Sequence, residues 1–156
     1  MEKRTRVWDA DVLMEEFRQL LTDTQIEALP LVVSGSSMTP FLVPGRDTVF
    51  LSRLKEPVKR GRILLYQRDS GMYVLHRVYQ VYPDSFTMVG DAQTELEPGI
   101  RPDQVIAVVT HANRNGKIQT SGCFWWEFFE KIWIRLVPLR PAIRRVYTAF
   151  RKLWKG

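Results

Sequence analysis

Apolar residues along the chain change their period twice. Over residues 8–29 they recur at three- and four-residue intervals, with Leu13, Phe17, Leu20 and Leu21 on one face, which predicts an amphipathic helix. Asp9 or Asp11 suits its start, where a carboxylate accepts the unpaired backbone N–H groups of the first turn, and Thr22-Asp23-Thr24 suits a break. Between 31 and 120 the pattern becomes short apolar or alternating runs at 31–33, 48–52, 63–67, 72–82, 85–90 and 105–111. Turn chemistry separates them: Pro44-Gly45-Arg46-Asp47, Arg60-Gly61, Asp69-Ser70-Gly71, Pro83-Asp84 and Asn113-Arg114-Asn115-Gly116. Many short strands with this punctuation predict a mainly β body, an irregular barrel or sandwich rather than parallel βαβ units. From residue 123 the helical period returns. Beyond Pro141 it places Ile143, Val146, Tyr147, Phe150, Leu153 and Trp154 on one face, with Arg144, Arg145, Thr148, Arg151, Lys152 and Lys155 opposite. The expected organisation is a helical segment at 1–30, a β domain at 31–120 and a basic, aromatic, amphipathic tail at 121–156.

Composition narrows the chemistry. A chain of 156 residues, 45% hydrophobic and 26% charged, is enough for one folded domain with a core. Its single cysteine, Cys123, excludes an intrachain disulfide. With only His76 and His111 beside it, a zinc site is not expected, and no cofactor is implied. The net charge of +6 is carried by the tail: residues 123–156 hold eight bases and two acids, leaving the rest neutral overall. A local anionic partner follows from that distribution.

The start, MEKRTRVWDADVLMEEF, has no apolar stretch of the secretory kind. The most hydrophobic segment, 124–137, is interrupted by Glu127, Glu130, Lys131 and Arg135. A spanning helix is not expected, and the reading is of a cytoplasmic protein, peripheral at the inner membrane face. Trp125, Trp126, Trp133 and Trp154 beside lysines and arginines suit a lipid interface. The alternative is that this stretch packs on the β body or in a dimer. Its Trp and Phe content argues against a nucleic-acid groove, and nothing specifies the oligomeric state.

The chemistry centres on Val33-Ser34-Gly35-Ser36-Ser37-Met38-Thr39-Pro40, a serine-rich loop between a strand and a proline-restricted turn. Such a loop presents a hydroxyl with little freedom and aims backbone N–H groups at a developing oxyanion. His76, in Val74-Leu75-His76-Arg77-Val78, alternates onto the face of Val74 and Val78. Burial there keeps an imidazole neutral near pH 7, as a general base requires. Asp91, in Val89-Gly90-Asp91-Ala92, ends a strand where a carboxylate can orient that ring.

These segments, in this order, resemble the signal peptidase I superfamily, which includes the autocleaving SOS repressors. Gly35-Ser36-Ser37-Met38-Thr39-Pro40 matches its Gly-x-Ser-Met-x-Pro signature. Pro44-Gly45-Arg46-Asp47-Thr48-Val49 is similar to its Pro-Gly-Asp-x-Val element with one residue inserted. Lys59-Arg60-Gly61-Arg62-Ile63-Leu64 is similar to Lys-x-Gly-Asp-Ile-Val, with Arg62 in place of the acid. His76-Arg77-Val78 resembles the endoplasmic-reticulum-type branch, where His stands for the bacterial Lys, and Gly90-Asp91-Ala92 echoes that branch's Gly-Asp-Asn. The resemblance covers roughly residues 31–111 and implies a mostly β, complex-coil fold. It implies Ser37 as nucleophile, His76 as base and Asp91 as orienter, with Glu97 as the alternative acid. The Ser37 backbone N–H is the implied oxyanion donor, with Ser36 or Ser34 as neighbouring hydroxyls because Gly35 lacks one.

The expected function is therefore a serine endopeptidase that cleaves a peptide or leader precursor on the cytosolic side. Two other readings share these residues. One is an inactive peptide-binding or membrane-associated member of the same fold. The other is an autocleaving regulator of the SOS-repressor type, which His76 in place of Lys and the short 1–30 segment disfavour.

Overall fold

The computed structural model describes residues 10–156. The expected helix start at residue 8, the Asp9 cap and the opening basic segment lie outside them. Helix α1 runs Ala10–Thr22 and ends where Asp23 turns the chain by accepting the Gln25 N–H at 2.9 Å. It buries Met14, Phe17 and Leu21, whereas Leu13 and Leu20 are exposed. The buried stripe is thus set one residue around the helix from the expected face, because contact with the sheet selects among adjacent apolar positions.

Eight antiparallel strands follow: β1 (Leu29–Val32), β2 (Thr48–Ser52), β3 (Ile63–Gln67), β4 (Tyr73–Val81), β5 (Phe86–Val89), β6 (Glu97–Ile100), β7 (Val105–Arg114) and β8 (Lys117–Thr120). They pair in the order β1-β2-β7-β3-β4-β5-β6, with β8 on β7. Strands β2 and β3 coincide with the runs read from the sequence. Strands β6 and β8 are additions, and β7 is three residues longer than expected. Asn113 and Arg114 belong to it, so the turn shrinks to Asn115-Gly116, both at positive φ (51° and 87°). That is the two-residue Asn-Gly hairpin favoured by strand twist. Register shifts in four of the pairings bend the sheet. The path has ends at β1 and β6, so pairing among the described residues does not close a ring.

The bent sheet buries both faces of β3. Ile63 and Leu65 join a core with α1, Met38, Phe41 and Val109, while Leu64 and Tyr66 join a second with Val74, Val78, Met88 and Ile100. Strand β4 alternates likewise. His76 lies between Val74 and Val78, and Arg77 points the other way, with its guanidinium 5.3 Å from the Phe41 ring centre.

The C-terminal segment starts with α2 (Phe124–Glu127), a π-helical turn Phe128–Ile132 and a 3-10 stretch Trp133–Leu139, then enters α3 (Arg140–Trp154). Trp126 and Phe129 pack on Phe41, and Ile134 and Val137 pack with Val89. Gly61, at φ 91°, lets the chain come this close, since a Cβ there would collide with the Glu130 carbonyl. The stretch 124–137 is therefore largely laid on the β body, whereas residues 141–156 are exposed throughout. Among the described residues no helix is long and apolar enough to cross a membrane.

Candidate active site

Strand β1 delivers the serine loop. Its exit is tied down by Val33 N–H to Asp47 O (3.0 Å) and Gly45 N–H to Val33 O (2.9 Å). The turn is held by Thr39 N–H to Ser36 O (3.1 Å) and Leu42 N–H to Met38 O (2.9 Å), with Met38, Phe41 and Leu42 buried beneath it. Asp47, fully buried, caps the turn by accepting Val43 N–H (2.8 Å), Asn115 N–H (3.0 Å) and a two-pronged contact from the inserted Arg46. Burial alone would raise its pKa. The Arg46 hydrogen bond and the two backbone N–H groups outweigh that and hold it below the usual carboxylate range.

Ser37, half-buried at the tip, is fastened from behind: Ala92 N–H donates to its carbonyl at 2.8 Å. Gly90 makes the approach possible, because a Cβ there would lie 2.5 Å from Ser37 O. The Ser37 N–H and Oγ make no hydrogen bond among the described residues, so Oγ is not joined to His76 in this conformation. The N–H required of an oxyanion donor is thus uncommitted. Neither Ser36 Oγ nor Ser34 Oγ is bonded.

His76 is set by register. Leu64 faces His76 across the β3–β4 ladder and Tyr66 faces Val74, which puts the Tyr66 and His76 side chains diagonally adjacent on one face. The Tyr66 hydroxyl lies 3.2 Å from His76 Nδ1 and 2.7 Å from Glu97 Oε1 on β6. A phenol has one proton. With that proton given to the Glu97 carboxylate, the Tyr66 oxygen accepts from Nδ1–H, and the lone pair is left on Nε2. Glu97 is in turn gripped by Arg68 Nε at 2.8 Å. Burial first, and Glu97 second, push the Tyr66 phenol far up, so the relay keeps its proton. Burial likewise pushes His76 down to about 4; Glu97 and Asp91 oppose this and Arg68 reinforces it. The ring is neutral at pH 7.

Asp91 is brought near but otherwise engaged. Its two oxygens take Arg77 Nε and Nη2, both at 2.9 Å, and Arg77 Nη1 also donates to Gly61 O at 2.7 Å. Both partners are buried, on the face of β4 opposite His76. Asp91 makes no hydrogen bond to His76. Of the two acids considered, Glu97 is the one connected to the imidazole, through a tyrosine. The nearby Glu95 is exposed. Tyr66 was invisible as a site residue: ten positions before His76 in an apolar strand, it carries no signal beyond being the one polar-tipped residue in Ile63-Leu64-Leu65-Tyr66.

His76 opens on a cleft of about 470 Å³ lined also by Arg68, Ala92, Gln93, Glu97 and Arg144. Ala92 thus touches both the cleft and the Ser37 backbone. A second groove runs past Ser34 between β1 and β4, lined by Leu31, Val33, Tyr73 and Leu75 and, from α1, by Asp11, Leu13 and Met14. Residues 73–76 pair only with β3 among the described residues, because β5 pairs from Arg77 onward, and β1 is an edge strand. His111 stacks on Phe50 with ring centres 4.3 Å apart, a packing role. Among the described residues no three His, Cys, Asp or Glu side chains gather where a metal ion could be held. Comparison with family models, with curated proteins and with solved structures gives no match for this chain.

Proposed function

We propose that the chain is a serine endopeptidase acting on a peptide or leader precursor, with a fold of the signal-peptidase and SOS-repressor type. The observation that carries the reading is the His76–Tyr66–Glu97 chain, which fixes the tautomer a general base needs at the wall of a cleft also lined by Ala92, whose N–H holds the Ser37 carbonyl. His76 Nε2 takes the Ser37 Oγ proton as Oγ bonds to the substrate carbonyl carbon. The resulting oxyanion is met by the Ser37 N–H. The imidazolium then gives its proton to the amide nitrogen as the C–N bond breaks, and water, deprotonated by the same ring, releases the acyl group. An imidazole held near pKa 4 is a weak base in the free protein. The growing oxyanion adds negative charge beside it, and the Glu97 carboxylate acts in the same direction.

The groove beside Ser34 supports the substrate class. It offers two open strand edges, on β1 and on the first half of β4, to which an extended peptide can add as a strand. The test is turnover of a peptide library by the wild type, Ser37→Ala and His76→Ala. Cleavage lost in both variants is the expected result. Equal cleavage in all three would exclude this mechanism. Peptide binding without turnover in the wild type would favour the inactive peptide-binding reading.

A further inference from the structure

Helix α3 contradicts the economy of the rest of the fold. Turning by about 100° per residue, it gathers Ile143, Val146, Tyr147, Phe150, Leu153 and Trp154 into one stripe, and every one is exposed, Phe150 at 67%, Leu153 at 79% and Trp154 at 91%. With Leu139 and Ala142, the first part of the stripe lines a wholly apolar groove. A helix of 15 residues that buries nothing of its own apolar face has little to hold it helical in water. Nothing among the described residues covers that face.

Charge decides among the occupants. Residues 131–156 hold eight bases and no acid. A second copy packed stripe to stripe would bring its own eight bases alongside. Nucleic acid would take the basic face and leave the aromatic stripe in water. A lipid surface with anionic headgroups satisfies both: acyl chains and interface for the aromatics, phosphates for Arg145, Arg151, Lys152 and Lys155 at the flank and far side. We propose that the apolar face of α3 docks on an anionic lipid surface.

The root of the helix gives this a consequence. Arg140, buried at the first position of α3, donates to Gly90 O at 2.9 Å, to Gln93 O at 2.7 Å and to Trp133 O at 3.1 Å. Arg144 donates to Ala92 O, and Trp133 Nε1 to Asp91 O at 2.8 Å. The loop that backs Ser37 is therefore gripped by the same helix that carries the lipid-binding face, and docking holds the cleft at a set place beside the surface. That a substrate is delivered there, at a membrane, rests on the peptidase reading. The docking itself does not.

The experiment is co-sedimentation of the full chain with vesicles of phosphatidylcholine alone and of phosphatidylcholine with phosphatidylglycerol at two parts to one, alongside sedimentation velocity without lipid. The expected result is partition onto the anionic vesicles only, weakening as salt rises, with a blue shift of tryptophan emission that Trp154→Phe diminishes. Phe150→Glu combined with Leu153→Glu, which removes no buried contact, should reduce partition at least tenfold. Replacing Arg151 or Lys152 by Gln should reduce it roughly fivefold each, as expected for about 1 kcal/mol per base near an anionic surface. Equal binding to neutral vesicles, no binding, or partition unchanged in the double glutamate variant overturns the proposal. So does a dimer in solution that the double variant dissociates. Vesicle binding with no peptide cleavage leaves the docking intact and removes only the peptidase reading.

Discussion

His76 and Arg77 are neighbours on β4, and each is held by its own acid on its own face of the sheet. Arg77 faces inward and is closed off by Asp91 in a two-pronged buried ion pair. His76 faces the cleft and is reached by Glu97 only through the Tyr66 hydroxyl. The first arrangement is saturated: both carboxylate oxygens and all three guanidinium nitrogens of the pair are used within the protein. The second ends in an unassigned nitrogen, Nε2, at a cleft. Saturation marks a structural tie, here between β4 and the loop behind Ser37, and an open end marks chemistry. A Gly-Asp motif beside a candidate base is therefore not by itself an orienting acid.

The comparison can be broken most sharply by activity. Ser37→Ala and His76→Ala should each lower kcat/KM by roughly 10⁴-fold or more, with Ser37→Ala leaving the thermal midpoint near that of the wild type. Asp91→Ala should instead lower stability, by about 3–5 kcal/mol as measured by denaturant unfolding, because it strands a buried guanidinium. A variant that kept its stability and lost only kcat would make Asp91 the orienting acid and reverse the assignment. Tyr66→Phe comes next. It keeps the packing and severs the relay, so kcat should fall about tenfold to a hundredfold with little change in KM, an expected cost of a base free to take the wrong tautomer or tilt. Glu97→Gln should fall in the same direction, and unchanged kcat in both would detach the relay from the mechanism.

The smallest effect is the pH dependence of stability. A histidine near 4 in the folded protein and about 6.5 unfolded binds its proton more tightly when unfolded. Stability is then full above about pH 6.5 and declines as pH falls towards 4, and His76→Gln should remove that decline. Asp47 acts in a lower window. Its depressed pKa contributes stability above the unfolded carboxylate value, lost as pH falls through the folded one. Unfolding midpoints measured from pH 7 to 3 separate the two.

The C-terminal segment repeats the lesson at larger scale. Both halves carry aromatic and basic residues, the first with Lys131 and Arg135 offset by Glu127 and Glu130, the second with six bases from Arg140 on and no acid, and period alone treats them alike. Yet Trp126, Phe129, Ile134 and Val137 are buried, while Phe150, Leu153 and Trp154 stand in solvent. Of the four tryptophans considered for a lipid interface, Trp126 is core and Trp133 is bound to Asp91 O. Only Trp125 and Trp154 are exposed.

Local chemistry determined a good deal without any structure. Alternation and turn residues located β2 and β3 and put His76 on the face of Val74 and Val78, because side chains in a strand must alternate whatever the strand packs against. The helical period placed α3, and the serines and glycine before Pro40 marked a tight turn, within which only the family resemblance points to Ser37. Strand β6, Glu97-Pro98-Gly99-Ile100, carries no alternation and a proline, and β8, Lys117–Thr120, is a polar edge strand. Both exist because a neighbour supplies the ladder. The relay from His76 through Tyr66 to Glu97 is decided wholly by pairing: the β3–β4 register makes residues 66 and 76 diagonal neighbours, and β5 against β6 brings in residue 97. Proximity between such distant positions is a property of register, which no local pattern encodes. It also decided which acid serves His76 and which serves Arg77.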